Sequence, residues 1–262
     1  MGMFKKFARG LFGGQPVPRG KEGARAYAVG DVHGRLDLLE IMISRIEEDI
    51  GQRPPRRNFV IFLGDLIDRG PDSAGVVRRL RTWRPQGVRQ AFLKGNHEEV
   101  LLRMLGGEKG ILPSWLKFGG AECARSYSLD PEELATMTEE EALARLRCAV
   151  PAGDREFLES FGDTFRFGDY LFVHAGIRPG VALEAQDPFD LRWIREPFLS
   201  EVAEHGYIVI HGHTIVDEVE VRPNRIGIDT GAYRSGVLTA LAIEDERRWT
   251  LSTAGSATEG AG

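Results

Sequence analysis

Short apolar runs alternate with amphipathic segments over the N-terminal part of the chain. The run that ends at Val29 predicts a buried strand, and the spacing of apolar residues from Leu36 to Ile50 predicts the helix that follows. The same order recurs twice, giving predicted strands over 25–29, 59–63 and 88–93 and predicted helices over 36–50, 73–83 and 98–105. Alternation of this kind predicts an α/β fold with polar strand ends gathered at one edge of a sheet.

The pattern changes after Leu105. Residues 107–163 are rich in helix formers, chiefly over 131–147 and 154–161, and we interpret this span as a helical insertion or cap. Trp115 and Gly119-Gly120 lie within it, either as a substrate-facing surface or as core packing. The later segments predict strands again, mainly antiparallel, over 170–173, 207–210, 216–221, 225–228, 237–243 and 248–251.

Composition and charge describe an ordinary globular protein. We expect a single domain over 25–252, a flexible N-terminal extension over 1–24 and a disordered tail over 253–262. The formal net charge of -5 disfavours a stable nucleic-acid complex. No membrane span is predicted, and two cysteines without C-x-x-C spacing favour a reducing, cytoplasmic location.

Histidines cluster at the predicted strand ends. The chain has six histidines, and five of them follow predicted strands with a glycine one or two residues away: His33, His97, His174, His211 and His213. Together with Asp31 and Asp65 they would be costly to bury unless cations neutralised the carboxylates. Carboxylate, imidazole and amide ligands without thiolate favour Mn²⁺ or a Mn/Fe pair, with Zn²⁺ as a further candidate. The ligand number favours two divalent ions that share one carboxylate.

Five motifs in order give the chain a family resemblance. They are Gly30-Asp31-Val32-His33-Gly34, Gly64-Asp65-Leu66-Ile67-Asp68-Arg69-Gly70, Gly95-Asn96-His97-Glu98, His174-Ala175-Gly176 and His211-Gly212-His213-Thr214. The set resembles the phosphoprotein phosphatase family of metallophosphoesterases, in particular its bacterial and bacteriophage-type serine/threonine phosphatases. The resemblance implies a calcineurin-like sandwich of two mixed β-sheets flanked by helices.

The resemblance also implies a role for each motif residue. One metal ion would be held by Asp31, His33 and Asp65, and the second by Asp65, Asn96, His174 and His213. His211 falls where the family has no ligand. His97 would be the general acid, oriented by Asp68, and Arg69 would bind the phosphoryl oxygens. A second phosphate-binding arginine is less defined, and we favour Arg195 over Arg192 and Arg178 because its place after Trp193-Ile194 resembles that of the family's arginine.

The predicted activity is one-step hydrolysis of a phosphomonoester by a hydroxide that bridges the two metals. A serine/threonine protein phosphatase is the favoured function, because Asp68 and Glu98 differ from the residues usual in symmetrical dinucleoside tetraphosphatases. The substrate would be a phosphorylated protein or a small phosphoester. Hydrolysis of dinucleoside polyphosphates or RNA caps is the alternative, and an inactive phosphate-binding module is a second.

Overall fold

Two five-stranded β-sheets form the centre of the structure, a computed structural model that describes residues 17–254. Both sheets are mixed and helices flank them, so the predicted α/β sandwich is confirmed. The first sheet has the order β10-β9-β1-β2-β3, with β1 (Ala24–Val29), β2 (Arg57–Phe62), β3 (Val88–Phe92), β9 (Thr239–Glu244) and β10 (Arg247–Ser252). Strands β1, β2 and β3 run parallel, while β9 pairs antiparallel with both β1 and β10.

The second sheet has the order β4-β5-β6-β8-β7 and contains β4 (Thr164–Phe167), β5 (Tyr170–Val173), β6 (Ile208–His211), β7 (Glu220–Val221) and β8 (Arg225–Gly227). Strand β6 lies between β5 and β8 and is parallel to both. The last four strands include the predicted antiparallel pairs β7–β8 and β9–β10, but β8 and β9 lie in different sheets. The predicted strand over 216–221 is also shorter, since only Glu220–Val221 pair.

Alternation along β1 explains how the layers pack. Ala24, Ala26 and Ala28 face the second sheet, whereas Tyr27 and Val29 join the core beneath the helices. Opposite the alanines, the second sheet presents large buried side chains, including Phe172, Ile210 and Ile226. Each such side chain contributes about 1.5–3 kcal/mol when buried. At the β1–β9 pair, Arg25 donates to Glu244 at 2.5 Å, and both side chains are buried.

Helices cover the outer face of the first sheet and share one core with it. They are α1 (Leu36–Gly51), α2 (Ser73–Thr82), α3 (Asn96–Leu105), α4 (Leu112–Trp115), α5 (Ala121–Ser126), α6 (Pro131–Thr136), α7 (Glu139–Ala149) and α8 (Ala152–Glu159), with α10 (Ala232–Ser235) later in the chain. Helix α9 (Pro188–Trp193) packs instead against the second sheet. An irregular helical turn, Leu116–Gly120, joins α4 to α5. Helices α4 to α8 thus occupy the span predicted as an insertion.

Several helix boundaries differ from the sequence prediction. The helical span predicted over 131–147 is divided, because Thr138 caps α7 and its hydroxyl accepts from the backbone of Glu141. Helix α3 begins at Asn96, two residues earlier than predicted, which places Asn96 and His97 in its first turn.

The chain ends are described only in part. Residues 1–16 of the predicted extension and 255–262 of the predicted tail lie outside the described residues. Within the extension, Arg19 N donates to Asp169 at 2.7 Å and Gly20 N donates to the carbonyl of Asp245 at 2.7 Å. Over residues 17–254, none of the helices has the length and apolar character needed to cross a bilayer.

Candidate active site

The predicted site residues meet at one end of the sandwich, where strands of both sheets end. Asp31, Asp65 and Asn96 follow the three parallel strands of the first sheet, and His174 follows β5 in the second. His213 comes two residues after β6. The expectation that these residues share one sheet edge is wrong, because the two packed sheets each contribute part of the cluster.

Asp65 lies at the centre of the cluster. Its Oδ2 atom is 3.4 Å from Nε2 of His174, 3.6 Å from Nε2 of His33 and 3.9 Å from Nε2 of His97. Two groups of candidate ligand atoms, each within 4.8 Å of one another, share this carboxylate: His33, Asp65 and His97, and Asp65, His174 and His213. Asp65 is therefore placed to bridge two cations.

The other two predicted ligands border the same space. Asp31 accepts a hydrogen bond from the backbone N–H of His213 at 3.1 Å. The side-chain oxygen of Asn96 lies 3.1 Å from Nε2 of His174. The structure thus brings together all six residues that the sequence proposed as ligands.

Burial makes this cluster electrostatically unfavourable without cations. Burial, followed by the charges of Asp229 and Asp65, raises the pKa of Asp31 well above its usual value. Burial would also raise the pKa of Asp65, but the neighbouring His174 and His97 lower it well below the usual range. Cations would stabilise the ionised form of both carboxylates.

The histidines fit the same interpretation. Burial lowers the pKa of His33 and, with the nearby charge of His174, lowers the pKa of His213 to about 2. Both imidazoles are therefore held neutral, as metal ligation requires. Nε2 of His213 is buried and has no hydrogen-bond partner among the described residues. A buried nitrogen lone pair that faces carboxylates fits a divalent cation.

Backbone strain is concentrated at the site. Among residues 17–254, the non-glycine residues with positive φ are His33 (45°), Asp65 (48°), Asp68 (68°), Arg69 (66°), Ser128 (62°), His213 (62°) and Asp245 (50°). All but Ser128 and Asp245 are predicted site residues. Left-handed backbone is unfavourable for such residues and persists only where neighbouring contacts hold it, so the surrounding structure determines these conformations.

Glu98 supplies part of that support. Its carboxylate accepts from the backbone N–H groups of Asp65, Leu66 and Gly95 at 2.9, 2.7 and 2.9 Å. Burial and the charge of Asp65 raise its pKa to about 7. A methyl group added to Gly95 would lie 2.2 Å from Oδ1 of Asp65, so only glycine allows this approach. Glu98 therefore ties the ends of β2 and β3 together.

His97 and Asp68 form a hydrogen-bonded pair beside Asp65. Nδ1 of His97 lies 2.7 Å from Oδ2 of Asp68, and its Nε2 faces the cluster. Burial lowers the pKa of His97, but the charges of Asp65 and Asp68 outweigh it and raise the pKa overall. The arrangement favours a protonated imidazole with one N–H directed at the cluster.

Arg69 is held at the same place by several contacts. Its guanidinium donates to Nε2 of His33 at 2.9 Å and lies 4.9 Å from the ring centre of Tyr233. Its backbone N–H donates to the carbonyl of Gly119 at 2.9 Å. Nδ1 of His33 in turn bonds the carbonyl of Ile67 at 2.8 Å, which fixes Nε2 as the ring's acceptor.

The remaining arginines differ in their partners. Arg192 is paired with Asp163 at 2.7 Å and Glu99 at 3.2 Å, and Arg178 with Asp190 at 2.6 Å.

Arg195 is exposed, and within residues 17–254 its side chain has no hydrogen bond or ion pair. Its charge contributes to the lowered pKa of His213, so it lies near the cluster. The adjacent Glu196 instead accepts from the hydroxyl of Ser200 at 2.5 Å.

His211 points away from the cluster. Its ring packs edge-on against Phe198, 5.2 Å between centres, and Nε2 lies 3.3 Å from the guanidinium of Arg225. Burial lowers its pKa to about 4. The interpretation of His211 as a structural residue agrees with this position.

Several residues at the site were not predicted from the sequence. Asp229 follows β8, is 1% exposed and accepts from Gly231 N at 2.8 Å. The stretch Gly-Ile-Asp-Thr-Gly could have indicated Asp229, because an aspartate beside glycine after a predicted strand also marks the other strand ends. Tyr233 packs against His33 with ring centres 5.4 Å apart. Nothing in its sequence neighbourhood distinguished it.

Comparison with known proteins identifies the family. Residues 24–236 match the family model described as calcineurin-like phosphoesterase. The chain is 30% identical to serine/threonine-protein phosphatase 1 of Salmonella typhimurium over 86% of this chain and 94% of that protein. It is 26% identical to an asymmetrical bis(5'-nucleosyl)-tetraphosphatase of Anoxybacillus flavithermus over 81% and 88%.

Solved structures share the fold. One, provisionally described as a diadenosine tetraphosphatase, superposes with a TM-score of 0.62 at 20% identity, covering 88% of this chain and 94% of that chain. The family uses divalent metals, and the cluster around Asp65 offers His and Asp groups that could bind them. The chain therefore belongs to the calcineurin-like phosphoesterase family and is a metallophosphoesterase, a hydrolase of phosphate esters.

Proposed function

We propose that the protein is a serine/threonine protein phosphatase with two divalent metal ions, most consistent with Mn²⁺ or a Mn/Fe pair. The observation that carries the proposal is the shared Asp65 carboxylate with the His97–Asp68 pair beside it. That combination provides both the place for two cations and a proton donor for a poor leaving group. The two unpaired cysteines agree with the cytoplasmic location expected from the sequence.

The donor set suits hard or borderline cations. Asp31, His33 and Asp65 would hold one ion, and Asp65, Asn96, His174 and His213 the other. Bound ions would supply an activated water and neutralise the phosphoryl charge. Within the protein, the lowered pKa of Asp65 favours its ionised form and the lowered pKa of His33 favours its neutral form. Burial raises the pKa of Asp31, so its ionised form would depend on the bound cations.

Proton donation is assigned to His97. Its Nδ1 is engaged by Asp68 at 2.7 Å, so only Nε2 is free to donate towards the departing oxygen. The charges of Asp65 and Asp68 raise the pKa of His97, which favours the protonated ring. An alkoxide such as that of serine requires protonation as the P–O bond breaks, which is the step this group supports.

Two arginines would bind the phosphoryl oxygens. The guanidinium of Arg69 lies beside Nε2 of His33 and would be released to phosphoryl oxygens when that nitrogen binds a cation. Arg195 is exposed and lies near His213. A guanidinium matches two phosphoryl oxygens with parallel N–H groups. Arg192 and Arg178 are already paired with carboxylates, which leaves Arg195 as the second ligand.

The substrate class rests on narrower support. The relative from Salmonella typhimurium is named a serine/threonine-protein phosphatase, and one from Escherichia coli has the same kind of name. Relatives named asymmetrical bis(5'-nucleosyl)-tetraphosphatases match over a similar share of the chain, so dinucleoside polyphosphate hydrolysis is the second candidate. The Asp68 and Glu98 criterion concerns symmetrical enzymes and does not separate these two.

The test is turnover by one preparation on three substrates. Chelator-treated protein is reconstituted with Mn²⁺, and kcat/KM is measured on a phosphoserine peptide, diadenosine tetraphosphate and capped RNA. Protein carrying Asp65→Asn, purified identically, controls for contaminating phosphatases. We expect the peptide to lead by at least about tenfold. A lead for diadenosine tetraphosphate or capped RNA would reassign the substrate. Peptide binding without any turnover would instead indicate an inactive phosphate-binding module.

A further inference from the structure

The helical span between α3 and β4 reaches into the site through Trp115. The indole is 4% exposed, and its N–H lies 3.2 and 3.1 Å from the two oxygens of Asp68. Asp68 is itself fully buried, and one of those oxygens also bonds His97. The expectation of a substrate-facing surface is wrong for Trp115, because its ring is buried and its polar atom meets Asp68.

The turn that follows Trp115 contacts the next residue of the motif. The carbonyl of Gly119 accepts from Arg69 N at 2.9 Å. Gly119 has φ of 112°, and a methyl group added there would lie 2.5 Å from Cγ of Arg69. A methyl group on Gly120 would lie 2.1 Å from the Trp115 ring. The segment from Trp115 to Gly120 is therefore fitted closely against Asp68 and Arg69.

The Asp68 carboxylate has few other means of support. Its backbone N–H is held by the hydroxyl of Ser73 at 2.9 Å, but that bond does not fix the side chain. The Cys123 thiol lies nearby, and burial and the charge of Asp68 raise its pKa. A thiol is a weak donor, so the indole N–H is the strong neutral donor to this carboxylate. Without it, a buried carboxylate would lose a charge-assisted hydrogen bond and its fixed orientation.

We propose that Trp115 is a positioning residue for proton transfer: its indole N–H orients the Asp68 carboxylate, which in turn orients His97. The inference rests on the proposed role of His97 as general acid. It gives the helical segment a part in the chemistry beyond packing, since the segment determines how well the leaving oxygen is protonated. Trp115 itself touches neither the substrate nor the cations.

The chain offers a matched control for this contact. Trp83 is 5% exposed and directly follows α2, and its indole N–H donates to a carboxylate oxygen of Glu47 on α1 at 3.2 Å, away from the strand ends. Trp83→Phe therefore removes an indole–carboxylate hydrogen bond, here to an exposed carboxylate, and leaves the site unchanged. Any effect of losing a buried indole N–H on general stability should appear in both variants.

The experiment compares Trp115→Phe and Trp83→Phe on phenyl phosphate and p-nitrophenyl phosphate, in the full chain reconstituted with Mn²⁺. Phenolate is a poorer leaving group than p-nitrophenolate and depends more on protonation. We expect Trp115→Phe to lower kcat on phenyl phosphate about tenfold and on p-nitrophenyl phosphate by less than about threefold, the range for one hydrogen bond to a charged group. KM should be unchanged, and Trp83→Phe should show no bias.

A double variant separates this role from packing. In a His97→Asn background, Trp115→Phe should cause no further loss on phenyl phosphate, because both changes remove the same step. If Trp115→Phe folds poorly, β-(3-benzothienyl)alanine at position 115 replaces the N–H with sulfur and keeps the ring shape. The same bias is expected.

Four results would overturn the inference. Equal losses on both substrates would make Trp115 a packing residue, and so would an additive loss in the His97→Asn background. If His97→Asn loses more activity on phenyl phosphate than on p-nitrophenyl phosphate and Trp115→Phe does not, this inference alone is overturned and the proposed function remains. No bias in His97→Asn itself would overturn the acid assignment and the inference together.

Discussion

The two sheets contribute unequal halves of the site. The first sheet provides the shared carboxylate Asp65, the His97–Asp68 pair and a tightly held Arg69, all within motifs that follow parallel strands. The second sheet provides two imidazoles and the exposed Arg195. Cross-sheet bonds join the halves, with Nδ1 of His174 lying 2.8 Å from the carbonyl of Leu63. In the proposed mechanism, charge balance and proton transfer would depend mainly on the first sheet, and the second would complete the ligand set.

Backbone support shows the same contrast. On the first sheet, three backbone N–H groups converge on Glu98, and both Val32 N and His33 N donate to the carbonyl of Asp65. On the second, Gly212 N donates to the carbonyl of His174 at 2.8 Å. The first-sheet half, which is held by more backbone hydrogen bonds, should therefore tolerate substitution less than the second-sheet half.

The largest expected effect is at Asp65, where the halves meet. Asp65→Asn should lower kcat/KM at least about 10³-fold, because it weakens both cation sites and metal stabilisation of the transition state is worth several kcal/mol. Metal content by elemental analysis should fall with activity. Asp130→Asn is the control, since it removes the same charge from an exposed helix cap where asparagine also caps. Two retained ions with near-normal turnover would show that the halves do not share Asp65.

The second largest effect is expected at His97, the proposed proton donor in the first-sheet half of the site. His97→Asn should lower kcat by about 10²-fold or more on a phosphoserine peptide, within the usual contribution of acid catalysis. The loss on p-nitrophenyl phosphate should be at least about tenfold smaller, because p-nitrophenolate leaves without protonation. Asp68→Asn should show the same bias more weakly. Equal losses with unchanged metal content would make His97 a phosphoryl-binding residue.

Substitution of Arg69 and of Arg195 allows a direct comparison of the first-sheet and second-sheet halves. Arg69→Ala should cost about a hundredfold in kcat/KM and Arg195→Ala about tenfold, since a charged hydrogen bond is worth about 1.5–3 kcal/mol and an exposed side chain must first be ordered. Both should weaken inhibition by inorganic phosphate. Arg192→Ala is the control because its partners are Asp163 and Glu99. A larger loss in Arg192→Ala than in Arg195→Ala would transfer the role to Arg192.

The smallest effect on activity is expected at His211. His211→Gln should change kcat less than about twofold, since the ring faces Phe198 and not the cluster. The burial of His211 should instead affect how the free energy of unfolding depends on pH. The folded pKa of about 4 is below the unfolded value of about 6.5, so the unfolded state binds more protons between these values. This contribution is complete above pH ~6.5 and is lost as the pH falls towards ~4. Urea unfolding of His211→Gln should lack that part of the acid-side decline.

The first-sheet half could be predicted from the sequence because each ligand directly follows an apolar run. Asp31, Asp65 and Asn96 are each identified by a short apolar run followed by glycine and a polar residue. Parallel pairing of the strands brings such ends together. His174 and His213 follow predicted strands in the same way, and the ligand roles of all these residues came from the family resemblance. The convergence of His174 and His213 from another sheet is a long-range packing result that periodicity does not encode.

What the sequence did not provide was the support around the ligands. Trp115 contacts Asp68 across 47 residues of sequence. Arg195 is favoured over Arg192 as a phosphate ligand because Arg192 is paired with Glu99 and Asp163, and those ion pairs form only in the folded protein. The positive φ angles of His33, Asp65 and His213 also follow from tertiary contacts, since none of these residue types requires them.

The position of β9 has a consequence for synthesis of the protein. Strand β1 lies between β2 and β9, and Arg25 on β1 is paired with Glu244 across 219 residues of sequence. A nascent chain on the ribosome therefore holds β1 with one open edge until almost all of the protein has emerged. Open strand edges invite wrong pairing, and such distant partners slow folding. A chain that stops before β9 would contain every proposed metal ligand and still lack the strand that encloses β1, from which the first of them, Asp31, extends.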